Sequence, residues 1–327
     1  MKKLRIGLVF FLSISMYLIS IGPGAEAAPK KKFLSIATGG TGGVYYLIGA
    51  GIAKLMTKYA PDIEATSETT AAGVENTRLL GTKQAEAAII DETALRLTVA
   101  KTPGMKLEDF RAVFSGHPMF THIFVPADSP IKDIPDFKGK KVAVGAPGSG
   151  NEIGAMTVLE EYGLTYKDFK PQWLSFSEQS NAFKDKAIDA GVIAAGVPTS
   201  SIMDLVTVVS IRFLPVPVEK LKSIENKKPA FFPSMLPANS YKGQTKGVSG
   251  MGSAGTITVH KDLDDTTAYW FCKVIAEHYK ELAEVHPAGN QYTLDRVYEG
   301  IGIPFHPGAI KYLTEVGVWQ KRPDRFK

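Results

Sequence analysis

Thr38-Gly39-Gly40-Thr41-Gly42-Gly43-Val44-Tyr45-Tyr46 places four glycines between two apolar runs of different period. The run before it, Phe33–Thr38, is short and suits a strand. The run after it, Gly43–Tyr59, sets Leu47, Ile48, Ile52, Leu55 and Met56 on one helical face. A strand, a glycine turn and a helix make the opening of a β-α-β unit, and that unit implies an α/β fold with a parallel sheet.

The alternation continues in both directions from this turn. Extended segments are expected at Asp62–Ser67, Ala85–Ile90, Phe110–Phe114 and His122–Pro126, with helices at Val74–Leu80 and Glu92–Ala100. A second series opens in the same way. Lys140–Gly145 is a strand, Ala146-Pro147-Gly148-Ser149-Gly150 is a turn, and a helix runs to Tyr162. Trp173–Phe176 reads as extended, Glu178–Lys186 as helix, Ala190–Ala195 as strand, Pro198–Leu205 as helix and Val206–Phe213 as strand. The stretch Lys227–Gly252 is rich in Pro, Gly and Ser and reads as loops. Gly255–Val259 is a strand, and Asp265–His286 is a long helix with Asp264 or Asp265 as its cap. Leu294–Glu299 and Gly308–Gly317 complete the tail.

Two series with the same opening predict two similar lobes, a cleft between them and a hinge. The expected division is 1–27 as a leader, 28–127 with 245–327 as one lobe, and 128–244 as the other. Hinge crossings are expected near Pro126–Asp133 and Asn239–Met251.

Glycines let a ligand approach the backbone closely, and the N–H groups that open a helix favour an anion. Thr38, Gly39, Thr41, Gly42, Gly43, Tyr45 and Tyr46 are therefore candidate ligand contacts. Pro147, Gly148, Ser149, Gly150 and Asn151 repeat the logic in the second series, and Gly73 and Asn76 open a third helix. A tight βα turn without a ligand is the plainer reading of each. Two such turns, one per lobe, together predict a polar or anionic ligand held between opposed helix N-termini. Asp91 ends a strand at the cleft edge, as a helix cap or as a ligand contact.

Other chemistries find little support. The G-x-x-x-x-G-K-S/T and G-x-G-x-x-G spacings are not met. His117 and His122 straddle Pro118, and His278, His286 and His306 are scattered, so no metal set is predicted. Gly148-Ser149-Gly150 lacks the G-x-S-x-G pattern, and no set of base, nucleophile and oxyanion donors stands out. A receptor is expected rather than an enzyme, with no cofactor.

The first residues bear on the compartment. Lys2, Lys3 and Arg5 precede an uncharged stretch from Ile6 to Ala25, and Ala25-Glu26-Ala27 gives the small-x-small pattern of a cleavage site. Cleavage after Ala27 and export to the periplasm are expected, with a retained anchor as the alternative. Removing that leader takes Lys+Arg from 38 to 35 and Asp+Glu from 33 to 32, so the net charge falls from +5 to +3. The balance is too mild for nucleic acid or a membrane surface. With 44% hydrophobic residues the chain can fill two cores, and its single Cys272 forms no internal disulfide.

In order, Gly39–Gly49, Gly73-Val74-Glu75-Asn76-Thr77-Arg78-Leu79-Leu80, Gly148-Ser149-Gly150, Ala195-Gly196-Val197-Pro198 and the tail Pro304–Glu315 resemble the TAXI family. These are solute receptors of tripartite ATP-independent periplasmic (TRAP) transporters. The resemblance implies a type II periplasmic-binding-protein fold, with delivery of a solute to ion-driven membrane subunits. Amino acids such as glutamate and small carboxylates are the implied ligands, and Gly196 and Pro198 are implied at the second wall of the cleft. The chain is expected to act as a monomer whose partners are the solute and the membrane subunits. Two departures stand out. Ala71-Ala72-Gly73 replaces the Gly-Gly-Ser often found there, and Asp91-Glu92-Thr93 replaces Gln-Ser-Asp. A carboxylate at Asp91 would repel a second ligand carboxylate and welcome an ammonium. The alternatives are a binding protein of an ATP-driven (ABC) importer and a periplasmic sensor that presents ligand to a membrane kinase.

Overall fold

The structure is a computed structural model that describes residues 31–228 and 230–326. The expected leader and its cleavage site lie outside these residues. The first series forms β1 (Lys32–Ala37), α1 (Val44–Tyr59), β2 (Ile63–Glu68), α2 (Gly73–Gly81), β3 (Ala87–Asp91) and α3 (Glu92–Lys101). A long strand, β4 (Phe110–Pro126), leads into β5 (Lys141–Ala143), α4 (Gly150–Glu161), β6 (Lys170–Gln172), α5 (Phe176–Lys184), β7 (Ala190–Ala195), α6 (Ser200–Val208) and β8 (Ile211–Phe213). Then come α7 (Val218–Lys227), β9 (Phe232–Leu236), the long β10 (Val248–His260), α8 (Asp265–Val285) and α9 (Pro307–Glu315).

The sheet order is β2-β1-β3-β10-β4-β7-β5-β6, with β8 added to β4 and β9 to β10. Its two ends mirror each other. At one end β1 lies parallel between β2 and β3, and at the other β5 lies parallel between β6 and β7. Between them, β10 and β4 run antiparallel to each other and to their neighbours. Side chains alternate across a strand, so the second end is buried on both faces, as parallel strands covered by helices require. Ile123, Val125, Val142, Val144 and Val192 enter one core, and Phe120, Phe124, Ala143, Ile193 and Ala195 enter another. The first end has its own core, in which β1, β3 and α1 pack with Phe271, Ile275 and Leu282 of α8.

Core membership changes partway along β4 and β10. Phe114 and Met119 belong to the first core, Phe120 and Ile123 to the others. On β10, Met251 lies on the second side and Ile257 on the first. The register breaks at the same place: Ala254 faces Pro118 while Thr256 faces Ser115, so Gly116 and His117 oppose Gly255 alone. This two-against-one pairing is a β-bulge, which bends the strand that carries it.

Several expected elements shift. Phe110–Phe114 and His122–Pro126 are one continuous strand: Gly116, which looks like a breaker, sits in the bulge with His117, and Pro118 pairs in register with Ala254. The crossing of cores falls on β4 and β10 themselves and not in Pro126–Asp133. Trp173–Phe176 is not a strand: Ser175 caps α5 and the strand lies earlier, at Lys170–Gln172. Val206–Val208 finish α6. The expected loop Lys227–Gly252 holds β9 and the start of β10, and α7 lies just before it. Pro233 sits in β9, which pairs only with β10, and such an edge tolerates proline. In α8 the Asp264 carboxylate accepts from Thr267 N at 2.9 Å, as a cap should. Cys272 is buried in the first core, and burial pushes its thiol pKa up, which suits a small apolar role.

Gly49 fixes where α1 lies on the sheet. A Cβ there would overlap the Thr38 side chain, coming within 3.1 Å of Thr38 Cβ. Thr38 cannot yield, because its hydroxyl donates to Glu68 O at 2.6 Å. Gly49→Ala should therefore lower stability by about 1–3 kcal/mol despite its better helix propensity. Urea unfolding of the variant checks this, and an unchanged or raised midpoint contradicts it.

Candidate functional site

Five helices begin at one cavity. It is lined by Gly43, Val44 and Tyr45 of the α1 start, Ala72 and Gly73 of α2, Asp91 before α3, Ser149, Gly150 and Asn151 of α4, and Ser175 and Phe176 of α5. Each helix end carries partial positive charge. Three ends are closed by their own side chains. Asp91 Oδ1 accepts from Ala94 N at 2.8 Å, Ser149 Oγ from Glu152 N at 3.1 Å, and Ser175 Oγ from Glu178 N at 3.4 Å. The ends of α1 and α2 have no side-chain cap. Their free N–H groups remain available to an anion.

A buried amide ties a helix start to the strand ends in each half. Asn76 Nδ2 donates to Thr38 O at 2.7 Å and Ile89 O at 2.9 Å, while Asn76 Oδ1 accepts from the Thr70 hydroxyl at 2.6 Å. Asn151 Nδ2 donates to Val144 O at 3.0 Å and Val192 O at 2.9 Å, and its oxygen accepts from Ala194 N. The two amides hold α2 against β1 and β3, and α4 against β5 and β7. The wall at Ala195 and Gly196 is braced similarly. His122 Nδ1 bonds Ile193 O at 2.8 Å, Tyr241 OH bonds His122 Nε2 at 2.8 Å, and Thr199 N donates to Tyr241 OH at 2.9 Å.

The halves touch around the cavity. A Cβ on Gly73 would come within 3.1 Å of Gly150 Cα, and one on Gly150 within 2.6 Å of Asp91 Oδ2. Ser201 N donates to Gly42 O at 3.3 Å, and His286 Nε2 lies 2.9 Å from Pro198 O. The space between them is ≈ 80 Å³ measured to the centre of a water molecule.

Nine expected contacts line the cavity: Gly39, Gly43, Tyr45, Gly73, Asp91, Ser149, Gly150, Asn151 and Gly196. The others do not. Thr38 is spent on Glu68, and Asn76 on the strand ends. Thr41 is exposed and Tyr46 half-buried outside the cavity. Gly42 and Pro198 join the halves through their carbonyls. Pro147 is exposed, and Gly148 N is taken by Glu152 Oε2 at 2.7 Å. Sequence reading missed Met119, Phe176, Phe231 and Ser253, which also line the cavity. Ser175-Phe176-Ser177-Glu178 has the capping-box spacing, a signal that places a helix start there. Phe231 and Ser253 lie in or beside a stretch read as loops and carried no such signal.

Two buried polar groups belong to residues that line the cavity. Asp91 is 6% exposed, and burial raises its carboxyl above the usual range against the pull of Ala94 N. Tyr45 is 8% exposed and its hydroxyl has no hydrogen-bond partner. That ring stands edge-on to His117, whose Nδ1 lies 2.9 Å from Tyr292 OH. On the outer side of the second wall, Glu152 Oε1 accepts from Trp173 Nε1 at 2.9 Å and from Tyr166 OH at 2.7 Å.

Ala72 holds φ 63 and ψ −156, a region that belongs essentially to glycine. The methyl group there is strained by about 1–3 kcal/mol, while glycine's extra chain entropy returns about 0.5–1 kcal/mol. Ala72→Gly should thus raise stability by about 1 kcal/mol in denaturant unfolding, and a less stable variant would overturn this account.

Acid should weaken the fold through two histidines. Desolvation lowers His117 to about 3, with His286 adding to the effect, and lowers His122 to about 4. A native pKa below the unfolded value of about 6.5 gives stability that is complete above 6.5 and is lost as pH falls toward the native value. The urea midpoint should drop between about pH 6.5 and 4, and His122→Gln should flatten the drop. A flat profile in the parent protein would contradict this.

Among solved structures, one from Bordetella bronchiseptica RB50 is similar at 18% identity and a TM-score of 0.53, covering 91% of this chain and 86% of that one. The binding protein component of an ABC phosphonate transporter from Pseudomonas aeruginosa is similar at 11% identity and a TM-score of 0.52, covering 79% of each chain. At these identities the likeness is one of fold: two α/β lobes of the periplasmic-binding-protein kind. The sequence profile of the NMT1-like family matches residues 36–317, so the chain belongs to the NMT1-like family.

Proposed function

We propose that this protein is an extracytoplasmic receptor that captures a small polar solute between its lobes and delivers it to a membrane transporter. One observation carries the reading: five helix N-termini, two of them uncapped, converge on a small cavity where the two halves meet glycine to glycine. Such a site binds without reacting. Its polar groups are backbone donors, helix-capping serines and a carboxylate, and closing it strengthens every hydrogen bond by excluding water. Export to the periplasm follows from the leader-like start, and among the described residues no helix is long and apolar enough to cross a membrane. The lobes are proposed to part where the cores change, between Met119 and Phe120 on β4 and between Met251 and Ile257 on β10. The limits at 127/128 and 244/245 are set aside.

Two couplings suit such a receptor. The ordered motifs resemble TRAP receptors and imply an ion gradient. The Pseudomonas aeruginosa neighbour is named as part of an ABC system, which supports ATP-driven import, and the comparisons favour that partner.

Uptake of labelled amino acids and small carboxylates, in cells with and without the gene, tests both levels. A receptor's deletion abolishes high-affinity uptake of at least one solute. ATP-driven import of that solute survives a protonophore while ATP is maintained, and ion-driven import does not. Unchanged uptake of every solute would remove the receptor reading.

A further inference from the structure

Asp91 is a buried carboxylate, and no salt bridge among the described residues includes it. Its Oδ1 caps α3, and its Oδ2 faces Gly150 across the cleft. Ionising a buried carboxylate that has no counter-charge is costly, and a cation brought against it offsets that cost. No Lys, Arg or His lines the cavity. The cation must therefore come with the ligand.

The opposite requirement sits in the same cavity. The uncapped ends of α1 and α2 present free N–H groups with partial positive charge, which call for an anion. The other three helix ends are closed by Asp91, Ser149 and Ser175. A second carboxylate on the ligand would find no free donor set of this kind and would meet Asp91.

Size narrows the class further. The space open to the centre of a water molecule is ≈ 80 Å³, which suits a small solute. The rest of the wall is apolar, with Val44, Ala72, Met119, Phe176 and Phe231.

Resting on the receptor reading, we propose that the cavity takes a small amino acid with a short uncharged side chain. Its ammonium lies against Asp91 and its carboxylate on the open N-termini of α1 and α2. The apolar wall receives the side chain. Glutamate and dicarboxylates are excluded by charge before they are excluded by size.

Thermal melting and calorimetric titration of the purified full chain test this with five probes: L-alanine, L-valine, isovalerate, L-glutamate and succinate. Alanine or valine should bind and raise the melting temperature, whereas isovalerate, which is valine without its ammonium, should not. Asp91→Asn keeps the oxygen that caps α3 and removes the charge. It should weaken alanine or valine binding roughly ten- to hundredfold, the worth of one charge-assisted bond. Binding of glutamate or succinate without alanine or valine overturns the ligand class and leaves the receptor reading standing. Isovalerate binding as well as valine, or an Asp91→Asn variant of unchanged affinity, removes the role given to Asp91. If none of these probes binds, the ligand class falls, and the uptake experiment decides the receptor reading separately.

Discussion

The pairing of β4 with β10 is the constraint on which the rest depends. These two strands run side by side from Phe110 and His260 to Phe120 and Gly252, and they carry the chain from one core to the other. Each parallel end of the sheet is completed by one of them, β3 by β10 and β7 by β4. Neither half can therefore form its full sheet alone. The bulge at Gly116 and His117 bends this shared ribbon at the change of core, and Gly255 opposite leaves room for the Tyr45 ring: a Cβ there would come within 2.6 Å of Tyr45 Oη. The bend and the binding wall are thus set by the same few residues.

On that frame the two halves repeat one device. A helix-borne asparagine bonds the carbonyls that end two parallel strands, Asn76 for β1 and β3 and Asn151 for β5 and β7. Removing either amide takes a buried donor from those carbonyls, of which Val192 O keeps a second one, Gln179 Nε2 at 3.3 Å, and an unmet buried acceptor costs more than its bond contributes. The amides keep the helix ends aimed at the cleft while the glycines between them let the walls approach. Rigidity and close contact come from different residues, and this division allows the cavity to be small and still well defined.

Much of this was legible in the chain. The glycine turns before α1 and α4 announce themselves, because few other arrangements need several glycines between a strand period and a helix period. Nine expected contacts fall on the cavity for that reason. Asn76 bonds strand carbonyls instead, and in sequence a polar residue at a helix start looks the same whether it faces a ligand or a strand. Phe231, just before β9, and Ser253, in β10, escape such a reading because the β-structure there is made of Pro, Gly and Ser, where Gly250 sits beneath the Phe120 ring and Gly252 beneath Phe232. Glycine there marks close packing against an aromatic face, and composition alone cannot tell this from a loop. The long strand β4 reads as two segments for a related cause, since a bulge and a chain break use the same residues.

The bonds that Glu152 makes on the second wall have an optical consequence. Trp173 is held by its indole N–H beside α5, whose first residues line the cavity, and it is 44% exposed. The other two tryptophans, Trp270 and Trp319, pack against the core of the opposite half. The molecule therefore carries indoles on both sides of its cleft, one solvated and bonded to a carboxylate, two set against apolar surface. Their emission differs by environment, so the fluorescence of the unmodified protein reads the wall of one lobe against the interior of the other.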